Sequence, residues 1–158
     1  MLRAFARHRR RFADAAASLD EEALAHPTRC TEWSVADVLR HGCDVDEWFR
    51  AGAAGDPTPL RDASFDAITT PQELVEAQRA EASDASARER FVESSYAVAS
   101  EAEASGSDRW GAPAASPIEN LFERVGLSIG AVPWWLATLH HFLDSFVHER
   151  DVLLPLGT

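Results

Sequence analysis

Only two cysteines, Cys30 and Cys43, occur in 158 residues, too few for a disulfide framework, and their spacing of 13 matches no CxxC metal pair. Both read as reduced thiols, one in a loop and one on a helix. No apolar run reaches 18 residues, so no membrane-crossing helix is predicted. The basic N-terminal stretch RAFARHRRRF is followed by neither an apolar run nor a small-residue cleavage site, and a cytoplasmic protein without a secretory signal is expected. Basic charge is scarce: 15 basic against 26 acidic residues leave a net charge of -11, which argues against nucleic acid or an anionic membrane as partner. Small molecules or proteins are the expected partners. No period-2 alternation of β-branched residues and no internal repeat are present, which argues against a sheet or a solenoid.

What remains is helical punctuation in a chain of one-domain length, taken as residues 1–158. A first helix is read over about 2–18, with Leu2, Phe5, Phe12 and Ala16 near one face. Ser34 begins S-V-A-D, a cap with a carboxylate three residues on, and predicts a helix over about 35–52. Gly and Pro between 51 and 70 predict a long loop, after which Thr70, Pro71 and Glu73 open a third helix running to about Ser100. A second long loop precedes SPIE, which opens a short helix ending near Gly126, and the last helix is read from near Pro133 to about Val152. The expected fold is an all-α four-helix bundle with long connecting loops.

The last helix poses the functional question. With about 100° per residue and position 140 as zero, Asp144, His148 and His141 fall at about 40°, 80° and 100°. Leu136, Leu139, Leu143, Phe146 and Val147 occupy about 240° to 340°, read as the buried face with the polar fan at its border. On the second helix His41 shares a side with Val38, Val45 and Trp48. Singly, each histidine reads as a hydrogen-bonded core residue. Together, His41 and the Asp144-x-x-x-His148 pair supply three N/O ligands able to converge on one divalent ion with a position left open, the pattern of a catalytic rather than a structural site. Asp44 and Asp151 are candidate partners for ligating imidazoles, and His141 a candidate catalytic group. Trp48 and Trp134 are candidate pocket walls. Cys30, in a loop with no basic partner at fixed spacing, reads as structural, and Cys43 as packed against a neighbouring helix.

Two stretches carry a family resemblance. PTRCTEWSVADVLRHGC, residues 27–43, and DSFVHERDVLLPLG, residues 144–157, are similar to the signatures of the DinB-like bundle metalloproteins, in particular the N-terminal domain of mycothiol-dependent maleylpyruvate isomerases. The resemblance implies His41, Asp144 and His148 as metal ligands and mycothiol as cosubstrate. Asp144 stands where the isomerase has Glu, one methylene longer, so His140 or His141 is a candidate substitute ligand. Zinc is the leading metal, with nickel and iron as alternatives.

The resulting expectation is a divalent-metal-dependent thiol S-transferase or thiol-assisted isomerase, with substrate entering beside Trp48 and His141 and a homodimer as a possible assembly. Two other classes stay open: a non-catalytic metal-binding or protein-interaction bundle, and a metal-dependent hydrolase with Asp44 or Glu47 as general base.

Overall fold

The computed structural model describes residues 1–30, 32–54, 70–105, 111–114 and 132–157. Its described helices are α1 (Leu2–Ala17), α2 (Glu21–Ala25), α3 (Val35–Ala54), α4 (Pro71–Glu81), α5 (Asp84–Ala104) and α6 (Trp134–Leu153). Strands β1 (Pro113–Ala114) and β2 (Val132–Pro133) pair antiparallel at the foot of α6. The all-α expectation holds. The short helix expected at SPIE lies outside the described residues, as do the central parts of both expected loops.

The caps act as expected. Asp37 Oδ2 accepts from Ser34 N at 2.8 Å while Ser34 Oγ accepts from Asp37 N, a reciprocal box at the start of α3. Thr70 and Glu73 form the same device at the start of α4. The third helix is not continuous to Ser100, however. Ala82 is extended (φ -146, ψ 137) and Ser83 caps a new helix through Ser86 N. Arg40 of α3 secures the break: its Nε donates to Ala82 O at 3.0 Å, and its Nη2 pairs with Asp84. The five-residue α2, too short to show a period, is held by Asp20, which accepts from Ala23 N at 2.9 Å.

Cross-helix contacts define the bundle's topology. Arg10–Glu103, Asp14–Tyr96 and Leu19–Arg88 make α1 and α5 antiparallel. Phe5–Phe142, His8–Ser145 and Arg11–Glu149 make α1 and α6 parallel. His41–His148, Asp46–His141 and Phe49–Trp134 make α3 and α6 antiparallel, giving an up-down-down-up order for α1, α3, α5 and α6. Gly42 permits the closest approach, since a Cβ there would stand 2.6 Å from the Phe91 ring.

The interior has two apolar ends and a polar waist. Phe12, Leu39, Cys43, Phe91 and Val152 pack at one end, and Phe5, Phe49, Val98 and Trp134 at the other. Between them Arg9 donates to Ser145 (2.7 Å), Ser95 (2.6 Å) and Asp46, and Asp46 also accepts from Ser94 (2.7 Å) and His141 Nε2 (3.0 Å). This waist reverses the expected face of α6. Thr138, His141, Ser145 and Glu149 point inward, whereas Leu143, Phe146 and Val147 are exposed. The reason is α1: its buried Arg9 and His8 require polar partners, which α6 supplies. No described helix is long and apolar enough to cross a membrane.

Candidate metal centre

The loop from Pro27 to Ser34 is closed by an antiparallel bridge between its ends, with Thr28 N donating to Trp33 O at 3.0 Å and Val35 N to His26 O at 2.9 Å. Thr28 Oγ1 accepts from Cys30 N at 3.1 Å, and Glu32 takes the left-handed turn (φ 70), a conformation non-glycine residues seldom adopt. Arg29 N reaches Asp151 O at 3.4 Å, fastening the loop to α6. The loop thereby lays Trp33 parallel to the His148 ring (6.2 Å between centroids, 15° between planes) and edge-on to His41 (5.4 Å).

Beneath Trp33, one ligand atom each from His41, Asp144 and His148 lies within 4.8 Å of the others. The His41 and His148 rings meet edge-to-face at 5.1 Å, and Asp144 Oδ1 is 3.5 Å from His148 Nε2. That separation is too long for a hydrogen bond, yet two ligands each about 2.1 Å from a tetrahedral ion stand about 3.4 Å apart. His41 Nδ1 is buried and has no hydrogen-bond partner. Burial holds the His41 imidazole at a pKa of about 4, so it is a neutral donor at pH 7. Burial pushes Asp144 upward, but the neighbouring His148 imidazole outweighs it and holds the carboxyl at about 2. A neutral imidazole, a carboxylate and a second imidazole are a donor set that fits a borderline divalent ion. The side chains of Asp144 and His148 keep 25% and 16% of their exposure, leaving the cluster open to solvent.

Around this trio the structure brings in one expected residue and one not expected. Asp151 Oδ2 faces the other ring nitrogen of His148, Nδ1, at 3.6 Å, as a positioning carboxylate would. Cys30, read from sequence as structural, lies there too: its thiol donates to Asp151 Oδ2 at 3.2 Å and stands 3.9 Å from His148 Nδ1. Burial and the adjacent Asp151 push this thiol up to about 11. A spacing of 118 residues hides the contact from any local pattern. Trp33 was legible only as part of the stretch PTRCTEWSVADVLRHGC that carries the family resemblance.

Other expected site residues go elsewhere. His141 is buried in the polar waist, donating to Asp46 and lying on Phe49 with ring centroids 4.9 Å apart. Asp44 accepts from Gln78 of α4, and burial raises its carboxyl to about 6. Trp134 stacks on Phe49 at 4.5 Å and lines a cavity of about 570 Å³ with Phe49, Arg50 and Ala53 at the opposite end of the bundle. Its 14-residue separation from His148 along α6 corresponds to about 21 Å, beyond reach of the trio. Trp48 is half-buried on α3, about two turns from His41 on the same side of the helix. His140 and Glu47 are exposed, and Cys43 is a buried free thiol that packs against α5 near Ala87.

No curated protein and no solved structure matches the chain. The model of the mycothiol maleylpyruvate isomerase N-terminal domain matches residues 5–152, and with the capped α3, the His41 cluster and the bundle order all falling within that match, the chain belongs to this family.

Proposed function

We propose that the protein is a divalent-metal-dependent enzyme that uses a low-molecular-weight thiol, mycothiol by family, for S-transfer to an electrophile or thiol-assisted isomerisation. The observation that carries the reading is the convergence of His41, Asp144 and His148, one ligand atom of each lying within 4.8 Å of the others. His41, Asp144 and His148 would hold the ion, and zinc suits two nitrogens and one oxygen with a fourth position open. Bound there, a zinc ion would supply the Lewis acidity that lowers a thiol's pKa towards neutrality.

The chain's own groups do the rest. Asp151, whose Oδ2 stands 3.6 Å from His148 Nδ1, favours the tautomer with the proton on that nitrogen and so leaves Nε2 free to ligate. Trp33 packs along His148 and fixes the ring plane, while its edge excludes water from His41. Asp46 and His141 hold α3 and α6 in the register that brings His41 opposite His148. A thiol and its acceptor reach the cluster from the side on which Asp144 and His148 remain part-exposed.

The test is zinc-loaded protein with mycothiol and an electrophilic acceptor, against the metal-stripped protein. Metal-dependent thiol consumption that disappears in His148→Ala supports the reading. Equal rates with and without metal, across acceptors of both kinds, contradict it.

A further inference from the structure

His148 presents ligand-bearing groups on both ring nitrogens, and the trio described above uses only one. On the Nδ1 side, one ligand atom each from Cys30, His148 and Asp151 lies within 4.8 Å of the others. All three edges are known: Cys30 Sγ to Asp151 Oδ2 is 3.2 Å, Asp151 Oδ2 to His148 Nδ1 is 3.6 Å, and Cys30 Sγ to His148 Nδ1 is 3.9 Å. Ligands about 2.3 Å (sulfur) and 2.1 Å (nitrogen, oxygen) from a tetrahedral ion stand about 3.4 to 3.6 Å apart, so the triangle already brackets that size. We infer that Cys30, Asp151 and His148 Nδ1 form a second divalent-metal position, one that selects thiophilic ions such as Cd²⁺ through the Cys30 sulfur.

The loop makes this a built site. Cys30 N is tied to Thr28 Oγ1, and Arg29 N to the backbone of Asp151 itself, so the sulfur and the carboxylate belong to one hydrogen-bonded unit. The side chains of Asp151 and His148 keep 14% and 16% of their exposure, enough for an ion to enter. Binding releases the Cys30 thiol proton to solvent, and sulfur then bonds the ion as thiolate. Softness decides between positions: the thiolate set favours Cd²⁺, whereas the two-imidazole, one-carboxylate set has no sulfur.

Both positions compete for one imidazole. A neutral ring has a single lone pair, so ligation through Nδ1 puts the proton on Nε2, which faces Asp144 Oδ1 at 3.5 Å. Ligation through Nε2 puts the proton on Nδ1, which faces Asp151 Oδ2 at 3.6 Å. Each position's carboxylate thus faces the ring proton left by ligation at the other. A thiophilic ion at Cys30 withdraws His148 from the His41 position, so the two occupancies exclude each other.

Metal-stripped full-length protein titrated with Cd²⁺, followed by the ultraviolet thiolate-to-cadmium absorption, tests this directly because the band requires a Cd–S bond. Wild type, Cys43→Ser and His41→Gln should each develop the band, saturating at one ion per chain. Cys30→Ser should lose it, and Asp151→Asn should weaken cadmium binding at least tenfold. No band in the wild type, or a band that survives Cys30→Ser, overturns the proposal. So does loss of the band in both His41→Gln and His41→Asn with helical circular dichroism intact, which would put Cys30 on the same ion as His41. Because His41→Gln removes the first position and spares the second, the two sites succeed or fail separately.

Discussion

In the waist of the bundle Asp46 receives hydrogen bonds from Arg9, His141 and Ser94, with the last two at 3.0 and 2.7 Å, whereas at the bundle's end Asp144 comes no closer than 3.5 Å to His148. Both clusters combine histidine with aspartate on α3 and α6. In the waist the central guanidinium and carboxylate are 1% and 0% exposed and pair with each other, while Arg9 Nε and His141 Nδ1 have no hydrogen-bond partner. The end cluster is spaced as ligands are spaced and leaves His41 Nδ1 unpaired. Residue type alone therefore does not distinguish a structural from a ligating histidine. The distances and the exposure do.

Breaking the waist should have the largest effect. Arg9→Met leaves the fully buried Asp46 without its counter-charge, and a loss of about 3 to 5 kcal/mol is expected in urea denaturation. A loss under about 1 kcal/mol would mean that Asp46 takes up a proton or finds water instead.

Protonation should come next, and it touches both clusters. Burial holds His8 and His41 at about 4, below the ordinary 6.5, so the unfolded chain binds protons more readily than the folded one between those values. Their contribution is complete above about pH 6.5 and is lost as pH falls towards 4, a loss of a few kcal/mol in metal-free protein. Asp144, held at about 2, adds a further loss only at lower pH, as its carboxyl takes up a proton below its unfolded value. Denaturation midpoints at pH 7, 5.5 and 4.5 should fall in that order, and less steeply in His41→Gln. A flat profile would contradict the burial of both imidazoles.

Phe91 carries Arg9 over its face at 5.0 Å and lies against Gly42, the chain neighbour of His41. Gly42→Ala must displace that ring, so a destabilisation of about 1 to 3 kcal/mol with weakened metal binding is expected, read by denaturation and metal titration. Stability equal to wild type would show that the ring moves freely.

The smallest effect is expected on the outer side of α6. Leu143→Ser, at a position 55% exposed, should change stability by no more than about 0.5 kcal/mol, whereas Ser145→Leu at 3% exposure should be strongly destabilising. Comparable effects at the two sites would mean that another molecule covers Leu143.

That pair also marks where the sequence stops being legible. Caps are local, so Ser34, Thr70 and the ends of α1, α3 and α6 could be read within a residue or two. The His41–Asp144–His148 set was readable because i and i+4 positions share a face and the family signature selects the same residues. The orientation of α6 was not readable: its inner face is polar because of Arg9 and His8, 136 and 137 residues away, and periodicity cannot detect a distant guanidinium. His141 was drawn towards the site by its angle and is instead claimed by Asp46. The break at Ala82 depends on Arg40, and the place of Cys30 on a loop whose closure pairs Pro27 with Ser34. In each case the deciding partner comes from another element.

The most direct measurement is elemental mass spectrometry of untagged protein purified without added metal, repeated for His41→Ala, His148→Ala and, as a control in the waist, His8→Gln. The account predicts near one divalent ion per chain, lost in the first two variants and kept in the third. Protein that emerges without metal and cannot be loaded, or that keeps its ion without His41 and His148, would contradict it.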